Sequence, residues 1–130
     1  MSFGNATWSR LGPDIGTRAT GDGQRFEREA EALLRAAGLT LVERNWLCRF
    51  GEIDLIMRDN ATLVFVEVRR RSSQQFGGAA ASIGRDKRSR IEKAVGLYLS
   101  QVTPVPPCRV DAVLFDGTRA PEWIKNIFDS

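Results

Sequence analysis

The chain has no histidine in its 130 residues, and this absence excludes more chemistry than any other feature of the composition. Without imidazole there is no Ser-His-Asp or Cys-His nucleophile, no histidine-ligated zinc and no imidazole general base. Cysteine is nearly as scarce. Cys48 and Cys108 stand apart, without the CxxC spacing of a zinc or redox site, and read as two reduced, buried thiols. No apolar run is long enough to cross a bilayer, and Met1 to Arg10 lack the apolar stretch of a secretory signal. The expected location is therefore cytoplasmic, with no membrane partner. Lysine is rare as well, three residues against sixteen arginines. An enzyme made from this sequence has to work with carboxylates, lysine or arginine.

At 42% hydrophobic, the chain has the material for one core and is too short for two ordinary domains. Residues 1–22, rich in Gly, Thr, Ser and Asn, read as a flexible tail, and residues 23–130 as one α/β domain. Phe26, Ala30, Leu33, Leu34 and Ala37 recur at helical spacing, and Gly38 sits where a helix would end. A short strand over Leu39 to Arg44 follows. After a break at Asn45 comes a second strand within Trp46 to Met57, bent at Gly51. A turn at Asp59-Asn60 leads to a third strand, Thr62 to Arg69. There Val64, Val66 and Val68 share one face, and Leu63, Phe65, Glu67 and Arg69 the other. A loop through Gly77 and Gly78, a helix over Arg85 to Ser100, a strand over Cys108 to Phe115 and a last strand around Trp123 to Phe128 complete the outline.

The formal charge is only +3, yet Arg69, Arg70, Arg71, Arg85, Lys87, Arg88, Arg90 and Lys93 crowd one stretch against Asp86 and Glu92 alone. A polyanionic partner explains such a block, and a solvated basic helix face is the plainer alternative. Asp54 and Glu67 lie on successive strands joined by a tight turn. Adjacent carboxylates at a partly apolar sheet repel one another, and a hard divalent cation such as Mg²⁺ relieves the conflict. Arg69, two residues beyond Glu67 on the same face, would grip a phosphate facing that metal. Glu27, at the margin of the first helix's apolar stripe, either joins the site as a third carboxylate or is solvated. The plainer reading of Asp54 and Glu67 is a pair of half-exposed strand residues matched to arginines.

The strings GEIDLI (Gly51 to Ile56) and VFVEVRRR (Val64 to Arg71) and the Lys87-Arg88 helix start resemble the bacterial YraN family of the PD-(D/E)xK nuclease superfamily. Gly23, Glu27, Glu43-Arg44-Asn45 and Val110-Asp111-Ala112-Val113 extend the resemblance over nearly all of Gly23 to Phe128. It implies a restriction-endonuclease-like three-layer fold, a central mixed β-sheet flanked by helices. It also implies an active site of Glu27, Asp54, Glu67 and Arg69, with Asp54 and Glu67 as ligands for Mg²⁺ or Mn²⁺. Arg70, Arg71, Arg85, Lys87, Arg88 and Arg90 would then hold the backbone of nucleic acid. Kinship with archaeal-type Holliday-junction resolvases implies branched or structured DNA as partner, and a homodimer because a junction needs two cuts.

Where that motif normally ends in lysine, this sequence has Arg69. Arginine stays protonated and cannot act as a base. Three functions follow: a metal-dependent endonuclease, in which Lys87 substitutes spatially for the missing lysine; a nucleic-acid-binding module that keeps the nuclease fold without turnover; and an assembly factor whose basic helix meets an acidic partner.

Overall fold

The computed structural model describes residues 21–70, 85–117 and 119–128, so most of the expected N-terminal tail and Arg71 lie outside the described residues. Helix α1 spans Gly21–Ala36, starting two residues inside the stretch expected as tail. Its apolar stripe packs Ala30 and Leu34, both fully buried, onto the sheet. It stops at Gly38, whose φ of 103° is open to glycine and costly for other residues. The Gly38 amide donates to Arg35 O and the Leu39 amide to Leu34 O, the paired bonds of a Schellman cap.

Strands β1 (Thr40–Cys48), β2 (Gly51–Asp59) and β3 (Thr62–Arg70) then form an antiparallel meander. Helix α2 (Arg85–Leu99) carries the chain across to β4 (Cys108–Phe115), which lies parallel to β3. The short β5 (Glu122–Ile124) pairs antiparallel with β4. The sheet is therefore mixed, in the order β1-β2-β3-β4-β5.

Two apolar layers hold the helices to opposite faces of the sheet. Leu55, Met57, Val64, Val66 and Val113 face α1, and Trp46, Ile53, Ile56, Phe65 and Ala112 face α2. Tyr98 of α2 meets the rings of Trp46 and Phe65 edge-on, with centroids at 5.2 and 5.6 Å. Each large side chain buried in this way contributes roughly 1.5–3 kcal/mol, a reserve against which a few costly polar groups can be carried. The outcome is the α/β sandwich of helix, mixed sheet and helix expected from the sequence. Among the described residues, no helix is long and apolar enough to cross a membrane.

Two boundaries differ from expectation. The break placed at Asn45 does not exist, because β1 runs through it with Asn45 at φ 49°. Asparagine tolerates this left-handed conformation, so the strand bends without ending. The last strand is only Glu122–Ile124, since Asn126 turns at φ 58° and its main-chain nitrogen bonds to Asp111.

Candidate functional site

Both helices begin at the same end of the sheet, and a cleft of about 230 Å³ opens between their first turns. Phe26 and Glu27 line it from α1, Glu52 and Asp54 from β2, Glu67 and Arg70 from β3, and Lys87 and Arg90 from α2. Helix N-termini carry partial positive charge and unused N–H groups, which favours anions at this end of the molecule.

Asp54 sits where β2 parts from β3. Main-chain pairing runs from Asp59↔Thr62 to Leu55↔Val66. At the next position it is the Asp54 carboxylate that accepts the Val68 N–H, at 2.8 Å from Oδ2. The alternation of β2 breaks here as well: Ile53 and Ile56, three residues apart, both face α2. The break turns Asp54 into the cleft while it stays 6% exposed. Burial first, then the charge of Glu67 and more weakly those of Glu27 and Glu52, hold its carboxyl well above the usual aspartate range, although the Val68 hydrogen bond pulls the other way.

Carboxylate oxygens of Glu27, Glu52 and Asp54 lie within 4.8 Å of one another. Glu27 is fixed by Asn45, whose Nδ2 donates to Oε1 at 2.8 Å. The neighbouring Arg44 forks onto Glu31 of α1, at 2.7 and 3.0 Å. Successive strand residues normally face opposite ways, and the left-handed turn of Asn45 lets both address α1. The Glu43-Arg44-Asn45 string thus seats α1 so that Glu27 reaches the cleft.

Glu67, 3% exposed, lies beside Ala112 in the register of β3 and β4, on the α2 face. Lys87 Nζ comes down from α2 to 3.4 Å from its Oε1. Arg69 is half-buried and is not among the residues lining the cleft, so on the cleft side the cation beside Glu67 is the lysine of α2. Arg70 lines the opposite wall, with its guanidinium carbon 5.2 Å from the centre of the Phe26 ring.

Of the remaining expected contacts, Arg90 lines the cleft and Arg85 is exposed at the start of α2. Arg88 turns elsewhere: it pairs with Glu92 at 3.4 Å, donates to the Phe128 carbonyl at 3.1 Å and lies 4.7 Å from the Phe128 ring centre. Glu52 is the site residue that sequence reasoning passed over. Its signal was present, since Glu52 stands two residues before Asp54 in a strand.

An all-oxygen donor set around a carboxyl whose ionised form is disfavoured fits a hard divalent cation such as Mg²⁺ or Mn²⁺. The observation that decides the fit is the crowding of acid on Asp54 itself, since a bound cation would reverse it.

A family model described as "Uncharacterised protein family UPF0102" matches residues 26–115, which include every strand residue of the cleft. The chain belongs to this family. A UPF0102 protein of Nitrosomonas eutropha is 51% identical over 107 residues, covering 82% of this chain and 92% of its own. One of Nitrosomonas europaea is 54% identical over 109 residues, with the same shares. A third, from Neisseria meningitidis serogroup C, is 50% identical over 107 residues, 81% of this chain and 92% of its own. Among solved structures, Archaeoglobus fulgidus Hjc, described as a Holliday junction resolvase from an archaeal hyperthermophile, superposes with a TM-score of 0.51. Identity is 20%, over 79% of this chain and 76% of that one. The UPF0102 chain thus shares the α/β fold of that protein.

Proposed function

We propose that this UPF0102 protein is a divalent-metal-dependent endonuclease that hydrolyses phosphodiesters of structured DNA in the cleft between α1 and α2. The observation that carries this reading is the cluster of Glu27, Glu52 and Asp54 oxygens within 4.8 Å of one another, beside Glu67 and Lys87. Glu27, Glu52 and Asp54 would hold Mg²⁺ or Mn²⁺, with Glu67 next to them. Such an ion supplies Lewis acidity to a phosphate oxygen and lowers the pKa of a bound water. The chain's own residues do the rest. The Val68 amide and Asn45 fix two of the carboxylates. Lys87, anchored on Glu67, presents a compact cation to the charge that builds on the phosphate. Arg70 and Arg90 bind phosphates on either side.

Arginine at the motif position therefore does not deprive the cleft of a lysine. A branched substrate offers two strands to cut, so this reading expects a homodimer, acting in the cytoplasm. The second reading, binding without turnover, draws on the same Arg69, which cannot give up a proton.

The deciding experiment is cleavage of labelled branched and linear DNA with Mg²⁺ or Mn²⁺ by the wild type, Asp54→Ala, Lys87→Gln and Arg69→Lys. Cutting by the wild type that is lost in Asp54→Ala and reduced in Lys87→Gln supports the enzyme. A wild type that binds without cutting, while Arg69→Lys cuts, supports the second reading.

A further inference from the structure

The turn between β1 and β2 has two residues, Arg49 and Phe50, closed by the pairing of Cys48 with Gly51. Phe50 is half-buried: it packs against the α2-facing core and also lines the cleft that holds the carboxylates. Cations gather around it. The Arg49 guanidinium carbon lies 4.9 Å from the ring centre and the Lys93 ammonium 6.0 Å. Arg90 runs its stem along Gly51, where a Cβ would meet its Cδ at 3.4 Å. Gly51, at φ 122°, closes the turn in a backbone conformation that other residues rarely adopt, and a side chain there would only touch Arg90.

These three cations lack the carboxylate partner that several others on the surface have. Arg35, Arg44, Arg88 and Arg109 each have a carboxylate partner. Among the described residues, no ion pair involves Arg49, Arg90 or Lys93. Exposed cations without counter-charges at the rim of an acidic cleft draw in a polyanion, and phosphates would supply the missing charge. A ring at the centre of such a group suits a partner that has flat aromatic faces as well as phosphates. In an intact duplex the base faces are stacked on one another, and only an unpaired base can lay its face on a protein ring.

We propose that the Arg49-Phe50 turn, with Arg90 and Lys93, is a platform for an unpaired strand, which sets the substrate as DNA at a boundary between single and double strands. Arg49, Arg90 and Lys93 hold consecutive phosphates, and an unpaired base stacks on Phe50. For its consequence, a cut made next to that boundary, the proposal rests on the nuclease reading of the cleft.

The test is binding by the full chain in EDTA, followed by fluorescence anisotropy with a single strand, a blunt duplex and a fork of equal length. The fork and single strand should bind more tightly than the duplex. Phe50→Leu, which keeps apolar volume and removes the aromatic face, should weaken fork and single strand roughly ten-fold and change the duplex little. Arg49→Ala and Lys93→Ala should each lower the slope of log affinity against log salt by about 1. Equal affinity for all three probes, or a Phe50→Leu loss that is the same on duplex and fork, would overturn the proposal. If Phe50→Leu fails to fold, unchanged fork binding by the Arg49→Ala/Lys93→Ala double variant would overturn it as well. Loss of the nuclease reading leaves a distinct signature: no cleavage by the wild type, with Phe50-dependent binding intact.

Discussion

Asp54 and Asp111 are strand aspartates of the same sheet, 6% and 0% exposed, and their surroundings are opposite. Asp111 is saturated with donors: Arg109 Nε at 3.0 and 3.2 Å, Trp123 Nε1 at 3.0 Å and the Asn126 amide at 2.9 Å. Arg109 in turn reaches Asp59 at 3.2 Å. Asp54 has the Val68 amide, and otherwise the charges of Glu67, Glu27 and Glu52. One carboxylate is neutralised by the protein and ties β4 to the C-terminal segment. The other is left in want of positive charge at the mouth of a cleft. Burial does not separate a structural acid from a functional one, whereas an inventory of its donors does.

Alanine at each position should separate the two most widely. Asp54→Ala should lower cleavage on the order of 100-fold or more, read as single-turnover rates, with the fold retained. Asp111→Ala should cost about 3–5 kcal/mol in chemical denaturation, because Trp123 Nε1 and the Asn126 amide lose their acceptor and Arg109 keeps only Asp59. An Asp54→Ala protein that unfolds, or an Asp111→Ala protein as stable as the wild type, would erase the distinction.

Divalent cations sharpen it. Mg²⁺ at a hundred times its dissociation constant should stabilise the wild type by about 2.7 kcal/mol, seen as a rise in Tm. Glu52→Gln and Asp54→Asn should lose that rise, and Asp111→Asn should keep it. A smaller effect is expected from Trp123→Phe, which removes one donor from Asp111 and keeps most of the ring, at a cost of roughly 1.5–3 kcal/mol. The mildest probe is pH without metal. A carboxyl raised by folding contributes stability that is complete below the unfolded value of about 4 and is lost as pH rises through the folded one. Asp54→Asn should therefore be more stable than the wild type at neutral pH, with the gap closing on acidification. A gap that widens toward acid would reverse the sign assigned to Asp54.

Much of the fold could be read from periodicity, because the apolar stripes of α1, β3 and α2 are regular and Gly38 marks a true cap. The strand alternation and the resemblance together pointed to Glu27, Asp54 and Glu67. What could not be read depended on irregular backbone or on distant segments. Asn45 looked like a break and is a left-handed step inside β1. The approach of Lys87 to Glu67 depends on how the crossover between β3 and β4 seats α2, which no local pattern encodes. Asp111 stood inside a recognisable string, yet two of its donors come from Trp123 and Asn126, brought in by β5. Arg88 looked like one more basic residue of α2 until Phe128 was seen beside it.

The order of elements along the chain also bears on how the cleft is assembled. Glu27, Glu52, Asp54 and Glu67 all belong to α1 and the β1–β3 meander, whose pairings are local, while Lys87 and Arg90 arrive with α2. The UPF0102 chain therefore draws its acid, with Arg70, from one contiguous stretch and the facing Lys87 and Arg90 from the crossover helix, so the cleft's charge balance depends on where α2 docks.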